Sequence, residues 1–177
     1  SKVEAGKMEV NITEMPISAV TEFVDRTFRP VAEQKALQFD IDVRPEAPAA
    51  LYTDGQRLQQ ILKNLIANAI KFTEHGSVRL VIRKAEMDRR FASRSLDQAS
   101  EVIAFEVRDT GIGIPKDKQQ LIFEAFQQAD GTTNRKFGGT GLGLTISRNI
   151  AQLLGGEIRV ESEAGNGRSF TLFLPVP

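Results

Sequence analysis

The chain has 177 residues, 41% apolar and 26% charged, which is enough for one globular domain with a real core and too apolar for disorder. Lys plus Arg and Asp plus Glu stand at 23 each, so no whole-chain field draws nucleic acid or an anionic membrane. Cysteine is absent and histidine single, which excludes disulfides, thiolate metal sites and multi-histidine metal sites. No apolar run can cross a bilayer, and Ser1-Lys2-Val3-Glu4 does not open a signal peptide. The expectation is a cytoplasmic domain without direct membrane contact, whose parent protein can still be anchored elsewhere.

In chain order, residues 1–7 are polar, and residues 8–12 alternate and predict a short strand. Pro16 suits the first turn of a helix whose apolar stripe is Ile17, Val20, Val24, Phe28 and Val31. Residues 37–43 alternate as a strand, and Pro45 and Pro48 mark a loop. Asp54 can cap a helix running to about Phe72. Residues 77–83 and 102–108 predict strands, and the polar stretch 85–100 between them predicts a surface loop or hairpin tip. Residues 109–139 are long, glycine-punctuated and only partly helical. Residues 140–154 predict a strong helix ended by Gly155-Gly156, and residues 157–162 and 169–174 a closing hairpin. Strands and helices mix without strict alternation. This predicts an α+β fold, a two-layer sandwich with a mixed sheet of about five strands covered by about three helices.

The helix after Asp54 carries two faces. At about 100° per residue, Arg57, Gln60, Asn64, Asn68 and Lys71 form one narrow stripe, and Leu58, Ile61, Leu62, Leu65, Ala69 and Phe72 the neighbouring face. A solvated face is the ordinary explanation of such a stripe. Solvated faces favour Glu and Lys, however, and asparagine is a mediocre helix former. Two asparagines one turn apart offer neutral carbonyl oxygens in a row. These suit Mg²⁺, a hard cation that keeps waters and shares substrate phosphates, and Lys71 can neutralise phosphate oxygens.

Asp109-Thr110-Gly111-Ile112-Gly113 follows an apolar strand. A carboxylate there can accept a hydrogen bond from an exocyclic amine such as adenine's, and the glycines let backbone approach a flat ring. An ordinary turn is the alternative. An aspartic-protease reading needs a second Asp-Thr-Gly, which the chain lacks. Gly138-Gly139-Thr140-Gly141-Leu142-Gly143-Leu144 precedes a helix, where backbone N–H groups can hold phosphate. Its spacing fits neither the dinucleotide fingerprint nor the Walker loop, and a structural turn stays open. Between the two, residues 116–139 form an expected mobile cover over a ligand, with Phe123 and Phe126 as apolar anchors. Arg135 and Lys136 come within reach of a terminal phosphate or else form a solvated basic pair.

Together these segments resemble the catalytic domain of sensor histidine kinases, of the hybrid type, in the superfamily shared with DNA gyrase, mismatch-repair ATPases and a heat-shock chaperone. The run from Asn64 through Asn68 and Lys71 to Thr73 is similar to the N box. Asp109 to Gly113 resembles the first glycine box, Phe123 to Phe126 the F box, and Gly139 to Leu144 the second glycine box. Four motifs in order make the likeness specific, and it covers nearly the whole chain. It implies the Bergerat sandwich and ATP and Mg²⁺ as cofactors. Residues 1–8 become the tail of a helical dimerisation domain or a linker, residues 9–177 the ATP-binding domain, and residues 116–139 its lid.

The resemblance makes Asn68 the main Mg²⁺ ligand with Asn64 beside it. Asn64, Lys71 and Arg135 become the catalytic set, and Asp109 reads adenine. Phe72, Gly111, Gly113, Lys136, Phe137, Gly139, Thr140, Gly141, Leu142, Gly143 and Leu144 complete the nucleotide contacts. The implied activity is transfer of the terminal phosphate of MgATP to a histidine on a separate dimerisation domain, with a response-regulator receiver domain downstream. The alternatives are an ATP-hydrolysing relative or a nucleotide-sensing domain without catalysis. The hydrolysing relatives are similar to one another in carrying Glu where this chain has Asn64, and an amide cannot take a proton from water at neutral pH. Three departures stand out: the length of the 85–100 stretch, Arg168 where a small hydroxyl residue is usual, and the absence of a phosphoacceptor helix. His75, the single histidine, reads as an exposed turn residue.

Overall fold

A computed structural model describes residues 10–71, 73, 75–85, 94–99, 101–110, 140–162 and 168–176. Five strands form a mixed sheet: β2 (Gln38–Val43), β4 (Ser77–Lys84), β5 (Glu101–Asp109), β6 (Glu157–Ser162) and β7 (Arg168–Val176), in the order β2-β4-β5-β7-β6. Only β2 and β4 run parallel, and the connection between them contains helix α2 (Gly55–Lys71), as a parallel pair requires a crossover. A separate ribbon pairs β1 (Thr13–Pro16) with β3 (Ala50–Thr53). Helices α1 (Ile17–Gln34), α2 and α4 (Thr140–Leu153) share one core with one face of the sheet. The expected two-layer sandwich of five strands and three helices is therefore the observed one.

Strand alternation builds that core. Leu80 and Ile82 of β4, Phe105 and Val107 of β5, and Phe170 and Leu172 of β7 meet Val24 and Phe28 of α1, Leu62 and Leu65 of α2, and Ile150 of α4. Each fully buried Leu, Ile or Phe contributes about 1.5–3 kcal/mol of transfer free energy. Helix α2 begins as the sequence predicts: the Asp54 carboxylate accepts from the Arg57 N–H at 3.2 Å, and its carbonyl accepts from Leu58 N–H at 2.9 Å. The other Asp54 oxygen accepts from the Asn11 N–H at 3.0 Å, which ties the chain before β1 to the same cap.

Four expectations are corrected. The strand anticipated over residues 8–12 lies further on, at Thr13–Pro16, because pairing with β3 and the bond from Ile17 N–H to the Ala49 carbonyl (2.9 Å) fix that register. Pro16 is the N-cap of α1 rather than a residue of its first turn. Ala32, not Val31, completes the buried stripe of α1; Val31 is 42% exposed. The 85–100 stretch is not only a surface loop: it contains α3 (Arg94–Gln98), and Leu96, 1% exposed, packs with Ala85, Val102, Ala104 and Phe173 on the opposite face of the sheet. A second, smaller core thus backs β5 and β7. No helix among the described residues is long and apolar enough to cross a membrane.

The rest of that opposite face is a charged ladder. Glu106, 7% exposed, meets Arg108 at 2.9 Å and Arg83 at 3.5 Å, and Asp40 meets Arg79 at 3.9 Å. Burial pushes the Glu106 carboxyl upward and is the largest single influence. The hydrogen bond and charge of Arg108, joined by Arg83, together outweigh it and hold the carboxyl below the ordinary glutamate value. A carboxyl with a lowered folded pKa stabilises the fold fully above its unfolded pKa, about 4.3, and loses that contribution as pH falls through the folded value. Glu106→Gln is therefore expected to lower stability by about 1–2 kcal/mol at neutral pH, a range kept small because Arg108 is half exposed. The difference from wild type should shrink toward zero well below pH ~4. Denaturant midpoints at pH 7 and pH 3 check this; a difference that persists undiminished at pH 3 would contradict it.

Candidate functional site

At the close of β5, the helix-facing side of the sheet ends beside the connection that leaves α2. Asp109 closes β5 and shares the face of Phe105 and Val107, so it lies on the helix side at the strand's end, 4% exposed. Arg168 opens β7 as the register partner of Asp109.

Helix α2 buries Leu58, Ile61, Leu62, Leu65, Ile66, Ala69 and Ile70. Its polar stripe therefore falls on the border of the core: Asn64 and Asn68 are half-buried and Lys71 exposed. That border faces α4. The Asn64 Nδ2 donates to Ser147 Oγ at 3.1 Å, and Ser147 is fully buried within α4. The end of α2 is also held. Lys35, just past α1, donates through Nζ to the carbonyls of Ile70 (2.7 Å) and Lys71 (3.3 Å), a cation at the negative end of the helix dipole.

The connection from α2 into β4 is latched to the end of β5. The Thr110 hydroxyl donates to the His75 carbonyl at 3.2 Å and accepts from the Ser77 N–H at 3.3 Å, and the Thr110 N–H donates to the Ser77 carbonyl at 3.1 Å. Gly76 lies between them with φ +113°, and a Cβ there would strike the Thr110 hydroxyl. His75 is exposed in this turn, as the sequence predicts. Asp109 is thus fixed in space relative to the end of the asparagine helix. Thr73, on the same connection, is fully buried, and its Oγ1 has no hydrogen-bond partner among the described residues.

Of the site residues expected from sequence, Asn64, Asn68 and Lys71 share the polar border of α2, and Asp109 ends β5 beside the turn that follows that helix. Thr140, Gly141, Leu142, Gly143 and Leu144 form the opening turns of α4, directly preceding the part that packs on α2. Helix formation from Thr140 leaves early N–H groups without intrahelical partners, the arrangement that receives anions. Phe72, Gly111, Gly113, Arg135, Lys136, Phe137, Gly139 and the cover at 116–139 lie outside the described residues, as do residues 1–8. Ser147, Thr110 and Thr73 are site-neighbouring residues that motif reading passes over. The signal for Ser147 was present: it is the polar member of an otherwise apolar stripe with Ile150, Ala151 and Leu154.

A family model described as histidine kinase-, DNA gyrase B-, and HSP90-like ATPase matches residues 53–177, well over half of the chain. The chain belongs to that family. The autoinducer 2 sensor kinase/phosphatase LuxQ of Vibrio parahaemolyticus is 38% identical over 176 residues, 99% of this chain and 20% of LuxQ. The signal transduction histidine-protein kinase BarA of Escherichia coli K12 is 36% identical over 170 residues, 96% of this chain and 18% of BarA. The chain therefore spans about a fifth of the length of these relatives. Full-length ShkA, solved in complex with AMPPNP, superposes with a TM-score of 0.70 at 30% identity over 98% of this chain and 33% of ShkA. A nucleotide-free catalytic domain of the histidine kinase ThkA superposes with a TM-score of 0.69 at 26% identity, over 94% of this chain and 98% of that domain. In this ATP-binding histidine kinase catalytic-domain family, the five-stranded sandwich seen here is the shared fold.

Proposed function

We propose that this domain binds MgATP in the cleft between the end of β5, α2 and the start of α4, and gives the terminal phosphate to a histidine on a separate dimerisation domain. The observation that carries the reading is the buried Asp109, whose neighbour Thr110 is latched to the turn that follows a helix bearing Asn64, Asn68 and Lys71 on its polar border. Asp109 would accept from the adenine amine, and Lys71 would offset phosphate charge. The donor set fits Mg²⁺: Asn64 and Asn68 supply neutral amide oxygens one turn apart, leaving further positions to water and phosphate. Bound there, the ion would neutralise phosphate charge. Arg135 and the segment 116–139 would close over the nucleotide.

A hydrolytic reading needs a base for water, and Asn64 cannot be one. Its amide is instead held against Ser147. An imidazole nucleophile from another domain needs no strong base here, which favours kinase over ATPase. The dimerisation domain would be the immediate partner and a receiver domain the next. The cytoplasmic face of the cell would be the site of action.

Titration calorimetry with MgADP and incubation with radiolabelled ATP, with and without a supplied dimerisation domain, test the reading. Acid-labile label should appear on the supplied domain and not on this chain. Asp109→Asn should weaken MgADP by about 1.5–3 kcal/mol, roughly ten- to 150-fold, since a charge-assisted hydrogen bond is lost. Unchanged affinity in that variant would remove Asp109 from the adenine role. Label on His75 of the isolated chain would overturn the assignment of the acceptor to another domain.

A further inference from the structure

A side chain–side chain hydrogen bond between α2 and α4 joins Asn64 to Ser147 at 3.1 Å. Ser147 is fully buried, and α4 is the helix that follows directly on the glycine-rich segment. A serine inside a helix ordinarily turns its own hydroxyl proton to a carbonyl one turn earlier, which leaves its oxygen as an acceptor. That matches the observed direction, from Asn64 Nδ2 to Ser147 Oγ. An amide group is planar, with its nitrogen and oxygen diverging from one carbon. Once Nδ2 is committed to Ser147, Oδ1 must point away from α4's interior.

We infer that Ser147 is a positioning residue: its hydroxyl fixes the amide of Asn64 so that Oδ1, not Nδ2, is presented to a Mg²⁺–nucleotide complex. This rests on the proposed function of the cleft. An asparagine free to flip can also turn its N–H₂ group toward the metal, and since an N–H₂ dipole repels a cation, holding the other orientation in advance favours binding. Ser147 lies in α4, seven residues past Thr140, so the orientation of a metal-facing group on α2 depends on α4 staying seated against it. Groups that orient a metal-facing residue without touching the metal commonly change metal affinity by about 10–100-fold when removed.

The test is the Mg²⁺ dependence of ADP binding by calorimetry, for wild type, Ser147→Ala, Asn64→Ala and the double variant. Ser147→Ala is expected to raise the Mg²⁺ midpoint about tenfold. Its ADP affinity without Mg²⁺ should stay within about twofold of wild type, since Ser147 would not contact the nucleotide. In the Asn64→Ala background the same change should add nothing, because a residue acting through Asn64 has nothing left to orient. The Asn64 side-chain amide signal in nitrogen-15 NMR spectra should move in Ser147→Ala, a direct reading of the lost bond. An unchanged midpoint in Ser147→Ala would overturn the inference while leaving the site assignment standing. So would a further loss of equal size in the Asn64→Ala background, or a matching loss of Mg²⁺-free affinity, each of which marks Ser147 as packing alone. A wild-type chain whose ADP affinity ignores Mg²⁺ would overturn both the inference and the reading beneath it.

Discussion

Replacing Asn68 with alanine is expected to cut Mg²⁺-dependent phosphotransfer at least about a hundredfold, roughly 2.7 kcal/mol or more of transition-state stabilisation, while the fold survives. Asn68 stands one turn from Asn64 and is half-buried on the polar border of α2, which would face the nucleotide. Its removal takes nothing from the buried face formed by Leu58, Leu62 and Leu65, and alanine is a better helix former than asparagine. Phosphoryl transfer depends mainly on positioning and on neutralising charge, so losing one fixed oxygen in the cleft should act on rate far more than on stability. The measurement is the initial rate of phosphohistidine formation on a supplied dimerisation domain, beside a thermal melt. A variant with wild-type rate would show that the metal is held elsewhere; a variant that melts far below wild type would show that Asn68 carries the fold.

Gly156→Ala should do the reverse, lowering stability by about 3 kcal/mol and the melting temperature by about 6–12 °C. Helix α4 ends in a Schellman arrangement: the Gly156 N–H donates to the Ala151 carbonyl at 2.8 Å and the Gly155 N–H to the Gln152 carbonyl at 3.1 Å, with Gly155 at φ 82°. This turn brings the backbone of Gly156 against β7. A Cβ there would collide with the Phe173 carbonyl oxygen and stand 2.8 Å from Leu174 Cδ2. The obstacle is backbone of a strand hydrogen-bonded on both sides, by β5 and β6, so it cannot yield as a flexible side-chain tip would. Chemical denaturation checks the value. A loss under about 1 kcal/mol would mean that β7 or the turn gives way more easily than its pairing implies.

The α2 helix and its two faces were legible because period and residue type agreed: Leu58, Ile61, Leu62 and Leu65 mark the buried side, and Asn64 and Asn68 are odd choices for a solvated one. Asp54 was legible as a cap because its type and place leave little else for it to do. The β1–β3 ribbon was not. Thr13 to Pro16 have no strand-like alternation, and Ala50 to Thr53 follow two prolines; each becomes a strand only through the other. Val31 and Ala32 show the limit of counting, since a step of three or four from Phe28 both keep to a helical stripe. α3 was hidden because one leucine in a polar stretch, Leu96, carries its burial, and the site it fills is made by Ala85, Val102, Ala104 and Phe173 from three other parts of the chain. Ser147 stood out as the polar member of an apolar stripe, but its role was not legible because its partner lies 83 residues away.

The small core around Leu96 makes the sheet uneven in its resistance to opening. β5 and β7 are covered on both faces and paired on both edges, whereas β2 pairs on one edge only among the described residues and leaves Val43 44% exposed. Local unfolding should therefore start at β2 and spread inward, with β5 and β7 last to exchange their amides. Asp109 ends the most protected strand, while Asn64 and Asn68 ride on a helix laid across it. Thr110 ties the end of β5 to the turn that follows α2, and Lys35 holds the last carbonyls of that helix, so the carboxylate and the helix-borne amides should keep their spacing while the β2 edge opens and closes.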